Sequence, residues 1–327
     1  MEISVIIPVY NAEKHIVKAA NSALLQPQVK EVILIEDCSP DNSFAICKKL
    51  SKQHKQVKLL QHPGGVNKGA AASRNLGIKK AQCEYIAFLD ADDFYLSDRF
   101  KVDEQIFNSD ESIEGVYNAL GFHYYSNEAK QKYDDLDMRG LTTIDSQIDS
   151  NEVLNVLLGI SSKAKGYFSC VALTIKKNIF ERIEPFKESL KLFEDTDFII
   201  RLATKCKLAS GSIDKAVALR GVHDENRVTE TKRNFEHNLP LYKGLYKWGL
   251  KNQMPKSALE TCKYFYLSYL SFNANYLVKL YIFLYVIFKR YNLYRSLFNN
   301  IVYNCFGRNR IAYLIFGLRN NIFPLKQ

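Results

Sequence analysis

The chain has 327 residues, enough for one large domain or two smaller ones, and its 47% hydrophobic and 24% charged content is that of a globular protein. The net charge of +10 is uneven: from Pro240 onward 13 Lys/Arg face a single acid, Glu260, and that stretch holds 21 of the 41 aromatic residues, so the preceding 239 residues are nearly neutral. Seven scattered cysteines with no Cys-x-x-Cys argue against a disulfide framework or zinc cluster, and the lack of a basic region followed by an export-length apolar run sets the expectation of a cytoplasmic protein.

Ile3 to Val9 is a β-branched run that reads as a buried strand, with Pro8 near its end, where a missing donor is tolerated. Tyr10 to Glu13 turns the chain into a helix over 14–25, and Val32 to Ile35 predicts a second buried strand ending in Glu36-Asp37-Cys38-Ser39-Pro40-Asp41. A third strand over 57–60 leads to a glycine-rich loop holding Asn67-Lys68-Gly69, then to a helix over 70–81 whose small residues allow close approach to a sheet. Tyr85 to Leu89 is the fourth strand, and a helix is predicted over 97–107. Strands alternating with helices at this spacing mean βαβ units and a parallel sheet. Further on, 115–125 reads as one strand, 153–158 as a short helix, 170–175 as a strand, 194–206 as a helix and 216–219 as a last strand.

The fourth strand ends in Asp90-Ala91-Asp92-Asp93. Open α/β sheets bind ligands beyond the carboxyl ends of their strands. Two carboxylates two residues apart point the same way in extended backbone and repel unless a cation lies between them. Oxygen ligands of this kind suit Mg²⁺ or Mn²⁺ completed by substrate phosphates. The same acids would also serve as a helix cap. The glycine-rich loop fits neither a P-loop nor a dinucleotide fingerprint.

Four pieces in order, Ser4 to Asn11, Ile35 to Asp41, Asn67-Lys68-Gly69 with Ser73-Arg74-Asn75, and Phe88 to Asp93, resemble the family 2 inverting glycosyltransferases, densely over the first 100 residues and sparsely to about Asn226. The resemblance implies a GT-A fold, a Rossmann-like α/β architecture with a mostly parallel sheet and helices on both faces. It divides the chain into a catalytic domain over 1–239, with a nucleotide half to about 110 and an acceptor half after it, and a basic aromatic helical tail over 240–327. It implies a nucleotide-sugar donor, UDP-linked by preference, with Pro8, Tyr10 and Glu13 beside the nucleoside, Asp37 accepting from the base, Asn67 in the donor loop, Arg74 on the diphosphate or base, and Asp90 on ribose or metal. Asp92, with His223, would hold Mg²⁺ or Mn²⁺ to draw charge from the departing diphosphate. The family commonly has glycine where Cys38 stands, so a left-handed turn there would be strained. Inversion also needs a base for the acceptor hydroxyl. The family carries it in a Glu-Asp pair opening a helix, which Glu194-Asp195 matches: Asp195 as base, Glu194 positioning a sugar, with Asp197 a rival on nearly the same helix face.

The tail run Tyr276 to Phe288 is short for a membrane span, and Lys289, Arg290 and Arg295 follow it. An amphipathic helix on an anionic leaflet fits this pattern, placing the protein on the inner face of the cell membrane beside a glycan or lipid-linked acceptor of surface-polysaccharide assembly; packing of the tail against the catalytic domain and a true span are the alternatives. Its aromatics lie in continuous apolar runs, which argues against nucleic-acid binding. Three other readings stand beside this one: a sugar-phosphate nucleotidyltransferase, whose Gly-rich N-terminal loop is missing; a processive synthase, whose Gln-x-x-Arg-Trp is missing; and a GT-A module that binds without catalysis.

Overall fold

A computed structural model describes residues 1–135, 140–223 and 231–272. These form two compact units, one of residues 1–237 with 254–258, the other of residues 238–253 with the chain from Leu259.

The first unit is built on β1 (Ile3–Val9), β2 (Val29–Glu36), β3 (Val57–Gln61) and β4 (Tyr85–Phe88). They run parallel in the order β3-β2-β1-β4, as their apolar runs predict. Burial on both faces shows in the alternation of their side chains. Ile3, Val5, Ile7 and Val9 join one core cluster with α1 (Ile16–Leu24), α2 (Ser43–Gln53) and α4 (Lys101–Ser109). Ile6, Ile33, Ile35, Ile86 and Phe88 join the other, with α3 (Gly69–Lys80), α6 (Ser150–Leu157) and α7 (Glu194–Lys205). Helix α3 lies very close to the sheet: a Cβ on Gly77 would meet Ile6 Cγ2 at 2.4 Å.

The sheet continues beyond β4 through β8 (Leu173–Lys176), β6 (Gly115–Tyr117) and β9 (Leu208–Ser210). Strand β8 runs antiparallel to both β4 and β6, so the sheet is mixed on this side. The single strand expected over 115–125 is two: the chain breaks at Asn118, and β7 (Ala119–Tyr124) enters a separate three-stranded sheet with β5 (Phe94–Tyr95) and β10 (Ala216–Val222). Asn118 is fully buried at the break, its amide donating to Asp103 (2.9 Å) and its carbonyl accepting from the Ser212 amide (2.7 Å). Helix α4 starts later than expected, because Phe94 and Tyr95 pair with β10 first. Helix α5 (Asn127–Asp135) occupies a polar stretch with no periodic pattern.

Helix α8 (Thr231–Lys251), which contains Pro240, and helix α9 (Lys256–Phe272) follow. Within the second unit Tyr242 faces Phe265 and Tyr269, with ring centroids 4.6 and 5.7 Å apart. No helix among the described residues is long and apolar enough to cross a membrane. The apolar run Tyr276 to Phe288 and the basic residues after it lie outside the described residues.

Candidate active site

The carboxyl ends of β1, β2 and β4 point to one edge of the sheet, and the acids collect there. Arg74 organises them. It projects from the middle of α3, is 5% exposed, and donates from Nη1 to Glu194 Oε1 (2.8 Å) and from Nη2 to Asp90 Oδ1 (2.7 Å). Its guanidinium lies 5.3 Å from the Phe186 ring centroid, and its Nε is buried with no hydrogen-bond partner among the described residues. One side chain thus ties the end of β4 to the start of α7, 120 residues away in sequence. The arginine expected on the diphosphate or base has its two outer nitrogens committed to these carboxylates.

Several features hold α3 in place to present Arg74. Asp37, at the tip of β2, is 3% exposed and accepts the backbone amides of Lys68 and Gly69, both at 2.7 Å. A carboxylate on these first amides offsets the positive helix terminus. His62 stands 3.7 Å from Asp37 and 3.1 Å from the Ser73 hydroxyl. Asp37, expected at the nucleoside base, therefore has helix-anchoring bonds to both its oxygens. Glu36 accepts from the Ser39 amide (2.6 Å) and from Gln61 (2.7 Å), and between them Cys38 sits at φ +59°, in the left-handed region where its family position is commonly glycine.

The nucleoside-side residues lie at the neighbouring strand tip. Pro8 ends β1 half-buried, Tyr10 is 52% exposed and Asn67 is exposed in the loop before α3. Glu13 is bound to the start of α2, its carboxylate accepting both the backbone and side-chain amides of Asn42 (3.0 and 3.1 Å).

Beyond Asp90, Asp92 Oδ2 lies 3.1 Å from His223 Nε2, so these two expected metal ligands are side by side. Strand β10 carries His223 there, and it passes so close to the turn that a Cβ on Gly221 would lie 2.1 Å from the Asp92 carbonyl oxygen. Asp93 points inward and accepts the Gly221 amide (2.9 Å). Burial, then the charges of Asp92 and Asp90, push its carboxyl well above the usual range, while Arg220 opposes this. Among the described residues no three His, Cys, Asp or Glu form a metal cluster. The Asp92–His223 pair, a carboxylate and an imidazole, could hold Mn²⁺ or Mg²⁺ only if a ligand such as a diphosphate supplied the remaining oxygens.

Glu194 and Asp195 open α7 after Phe193, whose φ of +64° is strained for a non-glycine residue. Burial pushes the Glu194 carboxyl up, Arg74 pulls it down and Asp195 pushes it up again. Asp195 is partly exposed and accepts its neighbour Thr196's amide (2.7 Å). The rival Asp197 is fully buried, held by Lys187 and Arg201 at 2.7 Å each. Helix α7 turns Asp197 into the core, while Asp195 stays partly exposed beside Glu194.

Sequence reasoning missed three participants. Cys170 is buried, and burial followed by the charge of Asp195 raises its thiol. His15 stacks on His223, and Tyr125 tilts against His15. Burial, then His223, pushes the His15 imidazole below its ordinary value. No local pattern marks these residues, because their partners lie far away in sequence.

Residues 4–110 fit the model of Glycosyl transferase family 2. An Uncharacterized glycosyltransferase of Haemophilus influenzae is 46% identical over 100 residues, 30% of this chain and 39% of that one. The Staphylococcus aureus poly(ribitol-phosphate) beta-N-acetylglucosaminyltransferase TarS is 35% identical over 105 residues, 31% of this chain and 18% of that one. The chain thus spans well under two thirds of the length of these relatives. In structure, S. aureus TarS 1–349 in complex with UDP-GlcNAc superposes with a TM-score of 0.60 at 16% identity, over 98% of this chain and 92% of that one. Residues 4–110 match the model of Glycosyl transferase family 2, and the chain has a GT-A fold like that of TarS.

Proposed function

We infer that this chain is an inverting glycosyltransferase that moves a sugar from a nucleotide-sugar, UDP-linked by preference, to a hydroxyl of a glycan or lipid-linked acceptor in surface-polysaccharide assembly. The observation that carries the reading is the Arg74 bridge, which puts the acids ending β4 and those opening α7 in one site. A family whose chemistry needs a diphosphate pole and a base pole requires that juxtaposition. The neighbouring fold of TarS takes up UDP-GlcNAc, which makes it the first donor to try.

In this reading the uridine lies over the tips of β1 and β2, with Tyr10 and Pro8 against it. Asp195 accepts the proton of the acceptor hydroxyl, whose oxygen attacks the anomeric carbon. The bond from that carbon to the diphosphate oxygen breaks on the opposite face, and UDP departs. Asp92 and His223 would hold Mg²⁺ or Mn²⁺, which supplies neutralisation of the diphosphate charge. Arg74 holds Glu194 toward the sugar hydroxyls and opposes the rise that burial imposes on its carboxyl, with the Phe186 ring against the guanidinium. A non-catalytic module would lack the need for Asp195 on the exposed side of α7.

Thermal shift with UDP, GDP and dTDP, each with and without Mn²⁺, followed by UDP-GlcNAc turnover, tests this. UDP with Mn²⁺ should raise the melting temperature beyond either alone; no shift with any nucleotide overturns the reading. The basic aromatic tail would dock the enzyme on the cytoplasmic membrane. Flotation of the full chain with anionic vesicles tests that, and recovery in the soluble fraction alone overturns it.

A further inference from the structure

His15 has no part in the chemistry above, yet it touches that chemistry from two sides. It immediately precedes α1, two residues after Glu13, whose carboxylate binds the start of α2 on the nucleoside side. Its ring lies against His223, with centroids 5.2 Å apart and planes 16° from parallel. Tyr125 tilts onto the same imidazole at 4.7 Å. One turn further along α1, Lys18 Nζ lies 3.5 Å from the Phe94 ring centroid and 5.4 Å from that of Tyr125, so the helix grips the second sheet at two points.

The torsion that turns an imidazole is soft and roughly two-fold. The His223 imidazole meets Asp92 through Nε2. A flat ring stacked on its face removes that freedom. Metal-ligating histidines depend on neighbours of this kind, which fix the ring so that its lone pair meets the cation. The Gly221 passage fixes the backbone of the strand that carries His223, and His15 is placed to fix the ring.

We propose that His15 is a positioning residue that stacks the His223 imidazole into register for a divalent ion at Asp92 and ties that ligand to the nucleoside-side loop, so that nucleotide and Mn²⁺ bind more tightly together than apart. This rests on the reading that Asp92 and His223 hold the cation. Coupling between two ligands must be reciprocal, so it can be read from either one.

The test is Mn²⁺ titration of the full chain, with free Mn²⁺ followed by electron paramagnetic resonance, in the presence and absence of saturating UDP. Three variants are compared. His15→Phe keeps a flat ring, His15→Leu fills the space without one, and His15→Gln keeps a polar group before the helix without one. Mn²⁺ affinity in the UDP complex should fall about tenfold in His15→Leu and His15→Gln and stay within about threefold in His15→Phe. UDP affinity without Mn²⁺ should be unchanged in all three. Wild-type synergy together with full affinity in His15→Leu or His15→Gln overturns the proposal alone, as does a loss in His15→Phe equal to theirs. Wild-type protein that binds UDP with no dependence on Mn²⁺ overturns the metal reading and this proposal with it.

Discussion

Replacing Arg74 with Met removes a buried cation that two carboxylates share and leaves its volume nearly filled. Breaking a buried ion pair from one side typically costs about 3–5 kcal/mol, because the remaining charge is stranded. The two partners will not share that cost equally. The Asp90 side chain is 42% exposed and can be hydrated, whereas Glu194 is 14% exposed and cannot. Most of the loss therefore falls on Glu194. For a unit of this size each kcal/mol is worth roughly 2–4 °C, so a melting point about 10 °C lower is expected near neutral pH. The pH dependence has a definite sign. In the native protein burial already raises the Glu194 carboxyl above its ordinary value, with Arg74 opposing. The folded form thus holds that proton more tightly than the unfolded chain, and the associated stability is present below the unfolded value and lost as pH rises. Without Arg74 the carboxyl rises further, so the deficit of the variant should be smallest near pH 5 and grow toward pH 8. Adding Glu194→Gln should recover part of the loss and flatten the profile. Differential scanning calorimetry of the three proteins across that range measures both. A deficit of the same size at both ends, or one under about 2 °C, refutes the assignment of Arg74 as the clamp of these acids.

Four other substitutions separate the roles of neighbouring residues. Asp195→Asn should lower turnover by about 10²–10⁴-fold while leaving UDP affinity nearly unchanged, whereas Asp197→Asn should first cost stability, because it strands Lys187 and Arg201; kinetics and melting on the same preparations distinguish them. Gly221→Ala sets a methyl 2.1 Å from the Asp92 carbonyl oxygen, where ordinary contact begins at 3.4 Å. It should cost about 1–3 kcal/mol and lower turnover by up to about 10²-fold through displacement of Asp92, read by melting and by UDP-sugar hydrolysis. Cys38→Gly relieves a left-handed residue at φ +59°. The relief of about 1–2 kcal/mol exceeds the roughly 0.4–1 kcal/mol of added unfolded-state entropy, so urea unfolding should show equal or greater stability, not less.

Strands β1, β2 and β4 were legible because they are buried on both faces and so are written as apolar runs, and the half-buried β3 because Val57, Leu59 and Leu60 keep a short apolar run. The acids at the tip of β4 were legible because they interrupt such a run where sheets bind ligands. The small residues of α3 announced close packing, and Gly77 against Ile6 is that packing. What stayed hidden depends on distant partners. Asp195 and Asp197 share a helix start and local composition, and only the position of Arg201 and Lys187 decides which faces inward. The break at Asn118 is set by its bonds to Asp103 and to Ser212, 94 residues downstream. The contact of His223 with Asp92 spans 131 residues, and the ring that stacks on it comes from the residue just before the first helix.

These hidden contacts share a physical purpose. The site gathers Asp90, Asp92, Asp93, Glu194 and Asp195, a concentration of negative charge that would spring apart if left uncompensated. Arg74 binds one acid from each end, the Gly221 amide serves the buried Asp93, and His223 lies against Asp92. Burial, and then the charges of Asp92 and Asp90, still drive the Asp93 carboxyl upward. Each device is a rigid part of the sheet or of a helix packed on it, so the acids are held before any ligand arrives. A site that gathers acids in this way favours positive charge, and the preorganisation of those acids is paid by the fold and not by a ligand.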